Sequence, residues 1–245
     1  MSLILAPSIL AADFTQLGGE LPKLTDTCTW IHLDLMDGHF VPNLSFGMPV
    51  IKSIVTKFPQ FKYDAHLMVS NPAFYRTALQ DHAIFNWTIH YEACAGITYQ
   101  NADYAQQFQD PMLAQKTTAQ AISLLEDAKK IYPSIGIALK PYTPLTVLTP
   151  ELLSIVDLVL LMSVEPGFAG QKFMPHVVDR LSSLAAQRQQ LGLNFQIQVD
   201  GGVNLQTITQ LNQADNLVVG AALFRNPPYS STLAQLQGAY ATTNS

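Results

Sequence analysis

Eight short apolar runs, with helical patterns between them, constrain the fold of this chain more than any other feature of its sequence. They are Leu3–Ser8, Trp30–Met36, Phe61–Met68, Ile84–His90, Ile135–Lys140, Val156–Ser163, Phe195–Asp200 and Asn216–Ala221. Each is too short for a helix, and most are rich in β-branched or large apolar side chains. Turn signals such as Asp37-Gly38, Pro166-Gly167 and Gly201-Gly202 bound several of them. The intervening stretches place Ala121, Leu124, Leu125 and Ala128 (117–132), and Val178, Leu181, Leu184 and Ala185 (175–191), at helical spacing. Repeated strand–helix alternation implies a parallel sheet, and eight units predict a single α/β domain, a (β/α)8 TIM barrel over residues 1–245. A doubly wound open sheet is the alternative, but no GxGxxG follows the first run to favour it.

One interval breaks the rhythm. Successive strand starts lie about 21 to 39 residues apart, except for about 51 between the fourth and fifth, which predicts an insertion at about 91–116. That segment is rich in Gln, Asn, Tyr and Ala and nearly free of charge. A plain surface excursion, a lid and an oligomer contact are all compatible with it, because a loop after a barrel strand lies near the active-site face.

Several strands end in groups that do chemistry. His32, Asp34 and Met36 are two apart, so they share one side of the second strand; His66 and Met68 do so on the third. The fourth strand ends in His90 and Glu92, and the seventh ends in Asp200. Burying so many polar groups is unfavourable unless they are paired or bind a metal. His32, Asp34, His66 and Asp200 would form a two-nitrogen, two-oxygen set suited to Zn(II), Fe(II), Mn(II) or Co(II). The glycines add a second signal. Gly167 and Gly170 follow the sixth strand, Gly201 and Gly202 the seventh, and Gly220 ends the eighth. Tight turns explain any one cluster. Three in these loops point to a phosphorylated substrate, because small residues let backbone N–H groups approach an anion.

Composition excludes other classes. Charged residues make up 13% of the chain and its net charge is −5. With no basic run, it is a poor partner for nucleic acid or an anionic membrane. A hydrophobic share of 48% argues against disorder. The apolar start, Met1–Ala12, lacks a basic leader and meets Asp13 at once, so it reads as a first strand rather than a signal peptide. No apolar run approaches the roughly 18 residues of a membrane span. Cys28 and Cys94 have no metal spacing and read as free thiols in a reducing cytoplasm.

With these residues in place, the sequence resembles the ribulose-phosphate 3-epimerase family over almost its whole length. The resemblance rests on Ala6-Pro-Ser-Ile-Leu-Ala-Ala-Asp-Phe14, His32-Leu-Asp-Leu-Met-Asp-Gly-His-Phe-Val-Pro-Asn43, Asp64-Ala-His-Leu-Met-Val69, Met162-Ser-Val-Glu-Pro-Gly-Phe168 and Val199-Asp-Gly-Gly-Val203. It implies a cytoplasmic, metal-dependent isomerase of the pentose phosphate pathway that interconverts D-ribulose 5-phosphate and D-xylulose 5-phosphate as a homo-oligomer, dimer or hexamer. It also implies one divalent ion on His32, Asp34, His66 and Asp200, with Asp34 and Asp200 as the acid/base pair. Ser8, Met36, His66, Met68 and Met162 then meet the sugar. Gly167, Phe168, Ala169, Gly170, Gly201, Gly202, Gly220 and Ala221 meet its phosphate end.

Two positions depart from the family pattern. Ala169 replaces a usual glycine, and Ala221 a common serine. They leave open another ketose-phosphate 3-epimerase, for instance one acting on D-allulose 6-phosphate, or a non-catalytic binding barrel. A related decarboxylase would carry Asp-x-Lys-x-x-Asp, and here Met36 stands at the lysine position. Lys140, the one lysine at a strand end that could serve a Schiff-base aldolase, reads instead as a surface or phosphate-side residue. Four arginines are too few to suggest a clamp, so glycine-loop amides are expected to hold the phosphate.

Overall fold

The computed structural model of the chain describes residues 3–243; Met1, Ser2, Asn244 and Ser245 lie outside the described residues. Its strands are β1 (Ile4–Pro7), β2 (Trp30–Met36), β3 (Lys62–Met68), β4 (Ile84–His90), β5 (Ser134–Leu139), β6 (Leu158–Met162), β7 (Gln196–Asp200) and β8 (Asn216–Val219). Every end falls within two residues of the apolar run that predicted it. All pairings are parallel, in the order β1-β8-β7-β6-β5-β4-β3-β2. A parallel bridge between Ser8 and His32 joins the two ends of that order and closes the barrel.

Alternation along each strand divides the core into two layers. Ile31, Leu33, Leu35, Ile135, Ile137 and Leu139 face outward and pack with Ala121, Leu125, Leu181 and Leu184 of the surrounding helices. Inside the barrel, Ala6, Trp30, Ala138, Leu158, Leu160 and Met162 form a second apolar cluster. The interior is filled tightly enough that β5 carries Gly136, where a Cβ would collide with Thr88 Oγ1. The interior sides of β2, β3, β4 and β7 also carry buried polar groups, among them His32, Asp34, Asp64, His66, Asn86, Thr88, His90 and Gln198. Register sets His32 beside Asp64, Asp34 beside His66, Met36 beside Met68 and Met162 beside Asp200.

The interval after β4 is more ordered than its composition suggests. Tyr91–Cys94 forms one helical turn, and a 19-residue helix spans Pro111–Lys129. Asp110 caps that helix by accepting from Met112 N, with Pro111 at its first position. The Asp-Pro start draws 111–116 into the helix, so the true excess is 95–110 rather than the whole of 91–116.

Candidate active site

The loop after β2 is built by its first residue. Asp37 accepts from the backbone N–H groups of His39, Phe40 and Ser70 and from Ser70 Oγ. Gly38 N donates to Asn43 O, and Asn43 Nδ2 reaches across to Gly167 O at 2.8 Å. The long shared segment from His32 to Asn43 is therefore a strand end plus a self-stapled loop tied to the loop after β6.

Strand periodicity and register bring His32, Asp34, His66 and Asp200 together. One ligand-type atom from each lies within 4.8 Å of the others. His66 Nδ1 is 3.1 Å from Asp34 Oδ1 and 3.7 Å from Asp200 Oδ2. His32 Nε2 is 3.4 Å from Asp34 Oδ1 and 4.0 Å from Asp200 Oδ2. Both imidazoles are fully buried. Their far nitrogens are engaged, His32 Nδ1 by Asp64 Oδ2 at 2.8 Å and His66 Nε2 by His90 Nε2 at 2.8 Å. Two inward nitrogens with their other sides held, plus two carboxylates, fit a tetrahedral-type divalent cation.

The electrostatics are asymmetric. Burial works against the charge of Asp34, but His32 and His66 outweigh it and hold this carboxyl well below the usual range. Burial and then the neighbouring charge of Asp34 push Asp200 up to about 7. Burial opposes a charge on His32, while Asp34 and Asp64 draw its pKa well up. Burial lowers His66, and takes His90 down to about 4. Ser8 Oγ donates to Asp34 Oδ2 at 2.5 Å, fixing that carboxylate at the barrel's closing seam.

A cavity of about 320 Å3 opens over this cluster. Ser8, Asp34, Met36, Met68, Met162 and Asp200 form its floor; Gly167, Phe168, Ala169, Gly170, Gly201, Gly202, Gly220 and Ala221 form its rim. Of the expected substrate contacts, only His66 is absent from its wall, being wholly buried beneath it. Gly201 and Gly202 have φ of +118° and +63°, and a Cβ on either would press into Val164 or Phe173. Only glycine fits this turn, and it brings backbone close to the rim.

Several residues emerge only from the structure. Asp64 is fully buried and accepts from Asn86 Nδ2 and Gln198 Nε2, each at 2.7 Å, as well as pairing with His32. The signal was available, since Asp64 and Gln198 stand two residues before His66 and Asp200 and so share their side. Arg225 is the one lysine or arginine among the described residues that line the cavity. Its Nη2 lies 3.4 Å from where a Cβ of Gly170 would stand. The expectation of glycine-loop amides in place of an arginine clamp gave this residue no part; one cation on the lining does not register in a count of four arginines. The reading of Lys140 is corrected. It is 4% exposed, with Nζ 5.1 Å from the Phe40 ring centre and 4.5 Å from that of Tyr104, so it is no surface residue.

Comparison with known proteins agrees with the geometry. The sequence profile of the "Ribulose-phosphate 3 epimerase family" matches residues 4–107 and 105–224. The ribulose-phosphate 3-epimerase of Treponema pallidum is 38% identical over 227 residues, covering 91% of this chain and 92% of its own. That of Mycobacterium leprae is 33% identical over 239 residues, covering 97% and 95%. Among solved structures, 3-keto-L-gulonate-6-phosphate decarboxylase from Vibrio cholerae superposes with a TM-score of 0.66 at 10% identity, over 99% of both chains. 3-Hexulose-6-phosphate synthase from Salmonella typhimurium does so with 0.60 at 15%, over 98% of this chain and 100% of that one. At such identities these structures speak to the barrel alone. The carboxylate–histidine floor, the full-length sequence match and the barrel agree, and the chain belongs to the ribulose-phosphate 3-epimerase family of isomerases.

Proposed function

We propose that this chain epimerises C3 of a ketose phosphate, converting D-ribulose 5-phosphate to D-xylulose 5-phosphate by proton transfer between two carboxylates through a 2,3-enediolate. The observation that carries this reading is the presentation of Asp34 and Asp200 to one cavity from β2 and β7. Those strands are three steps apart in the closed ring, so the carboxylates approach a bound sugar from different sides. Inversion at C3 removes a proton from one face and returns one to the other, which requires an acid/base group on each side. Ser8 orients Asp34 by its hydrogen bond. The thioethers of Met36, Met68 and Met162 line the floor and have no proton to give a carbanion.

His32, His66, Asp34 and Asp200 would hold one divalent cation, Zn(II), Fe(II), Mn(II) or Co(II). When bound, it supplies positive charge that stabilises negative charge developing on the substrate oxygens. Amides of the glycine rim and the Arg225 guanidinium receive the phosphate. We expect Arg225→Gln to raise KM for the sugar phosphate about tenfold, as for loss of a charge-assisted hydrogen bond, with kcat little changed. Steady-state kinetics at fixed ionic strength would show this.

The same reading makes the chain one barrel domain acting in the cytoplasm within the pentose phosphate pathway, as a dimer or hexamer. The family resemblance supports this, as does the pair of free thiols Cys28 and Cys94. Among the described residues, no helix is long and apolar enough to cross a membrane.

The test is solvent exchange. Purified protein supplied with metal, given D-ribulose 5-phosphate in D2O, should place deuterium at C3 and form D-xylulose 5-phosphate. No incorporation from this sugar or from D-allulose 6-phosphate would reject an epimerase. Faster turnover of D-allulose 6-phosphate would move the substrate assignment and leave the chemistry standing.

A further inference from the structure

Tyr104 lies in the excess segment 95–110, yet it is 5% exposed. Its hydroxyl donates to Glu165 Oε1 at 2.7 Å and accepts from Tyr142 N at 3.3 Å. Glu165 lies in the loop after β6, whose next residues, Pro166 to Gln171, form one side of the cavity. Gln171 Nε2 closes that loop by donating to the Glu165 and Phe168 carbonyls. The loop therefore has two outside ties, Asn43 on Gly167 from the β2 side and Tyr104 on Glu165 from the inserted segment. The insertion is itself anchored, with Phe108 packed on Tyr91 at 5.1 Å between ring centres and the Tyr104 ring packed on buried Lys140.

We propose that the inserted segment braces the cavity-rim loop 165–171, with Tyr104 as a positioning residue for binding of the sugar phosphate. A phenol fixed by an aromatic–cation contact on one side can hold a carboxylate at the loop's base without touching substrate. The loop amides then meet the phosphate already placed, and the ordering cost falls outside the binding step. The binding role rests on the epimerase reading above; the brace itself does not.

Tyr104→Phe keeps the ring over Lys140 and removes only the hydroxyl. The expected result is a rise in KM of about tenfold with kcat within about twofold, the loss of one hydrogen bond to a charged group. Amide hydrogen exchange in residues 167–171 should quicken by a similar factor. Tyr132→Phe, which removes a hydroxyl bonded to Arg76 O on the far side of the chain, should change neither. Glu165→Ala should reproduce Tyr104→Phe, and the double variant should add nothing further. Unchanged loop exchange in Tyr104→Phe overturns the brace. Faster exchange with unchanged KM, or a loss confined to kcat, overturns the positioning role. If the wild-type protein turns over no ketose phosphate, faster exchange in the variant still supports the brace, and only the epimerase reading fails.

Discussion

Asp200→Asn is expected to lower kcat for epimerisation about 1000-fold, within the range that positioned acid/base groups contribute. The informative part is an asymmetry. In a two-base inversion each carboxylate serves one face of C3. The variant should still exchange the C3 proton of one epimer with solvent, through Asp34, yet form almost none of the other. Asp34→Asn should show the opposite preference, with the Ser8 hydroxyl still able to bond the amide that replaces the carboxylate. Both residues belong to the candidate cation cluster, so metal content must be measured on the same preparations. Full activity in either variant refutes its role. Equal loss of exchange from both epimers, with metal retained, would contradict the division of labour between the faces.

Asp64→Asn is expected to weaken cation binding about 10- to 100-fold, as removal of a carboxylate behind a ligating histidine does. Asp64 takes three donors at once, His32 Nδ1, Asn86 Nδ2 and Gln198 Nε2. Burial alone would raise its pKa, but His32 and these amides hold it below the usual carboxylate range. An asparagine offers one oxygen and one NH2. Whichever way it turns, a donor faces a donor in a site with no exposure to water. The variant should also lose about 1–3 kcal/mol of stability, the penalty for a buried polar group without its partner. Competition with a chelator reads the first effect and denaturant unfolding the second. Unchanged metal affinity would show that Asp64 does not orient His32.

Much of this design is legible in the chain. Strand positions follow from short apolar runs, and their parallel arrangement from the helices between them. The floor of the cavity is legible because a strand repeats every two residues, so His32, Asp34 and Met36 cannot face apart. The glycines at 201 and 202 mark a turn that L side chains do not adopt. Asp64 and Gln198 were within reach of the same rule but read as ordinary strand residues, since one polar group says nothing of its partner. The Asp-Pro pair at 110–111 carried the helix start that a count of interval lengths passed over.

Local periodicity thus determined which side chains point inward, because facing is a property of a few consecutive residues. Which inward groups meet is a property of closure. Only the barrel's register sets His66 against Asp34, brings Asp200 from the far end of the chain to both, and joins Ser8 to His32 at the seam. The same holds at the rim. Arg225 and Gly170 on one cavity wall, Lys140 between two aromatic rings and Tyr104 on Glu165 bring together segments far apart in sequence. Their geometry depends on where eight strands and their loops come to rest around one axis, and no short stretch of residues encodes that.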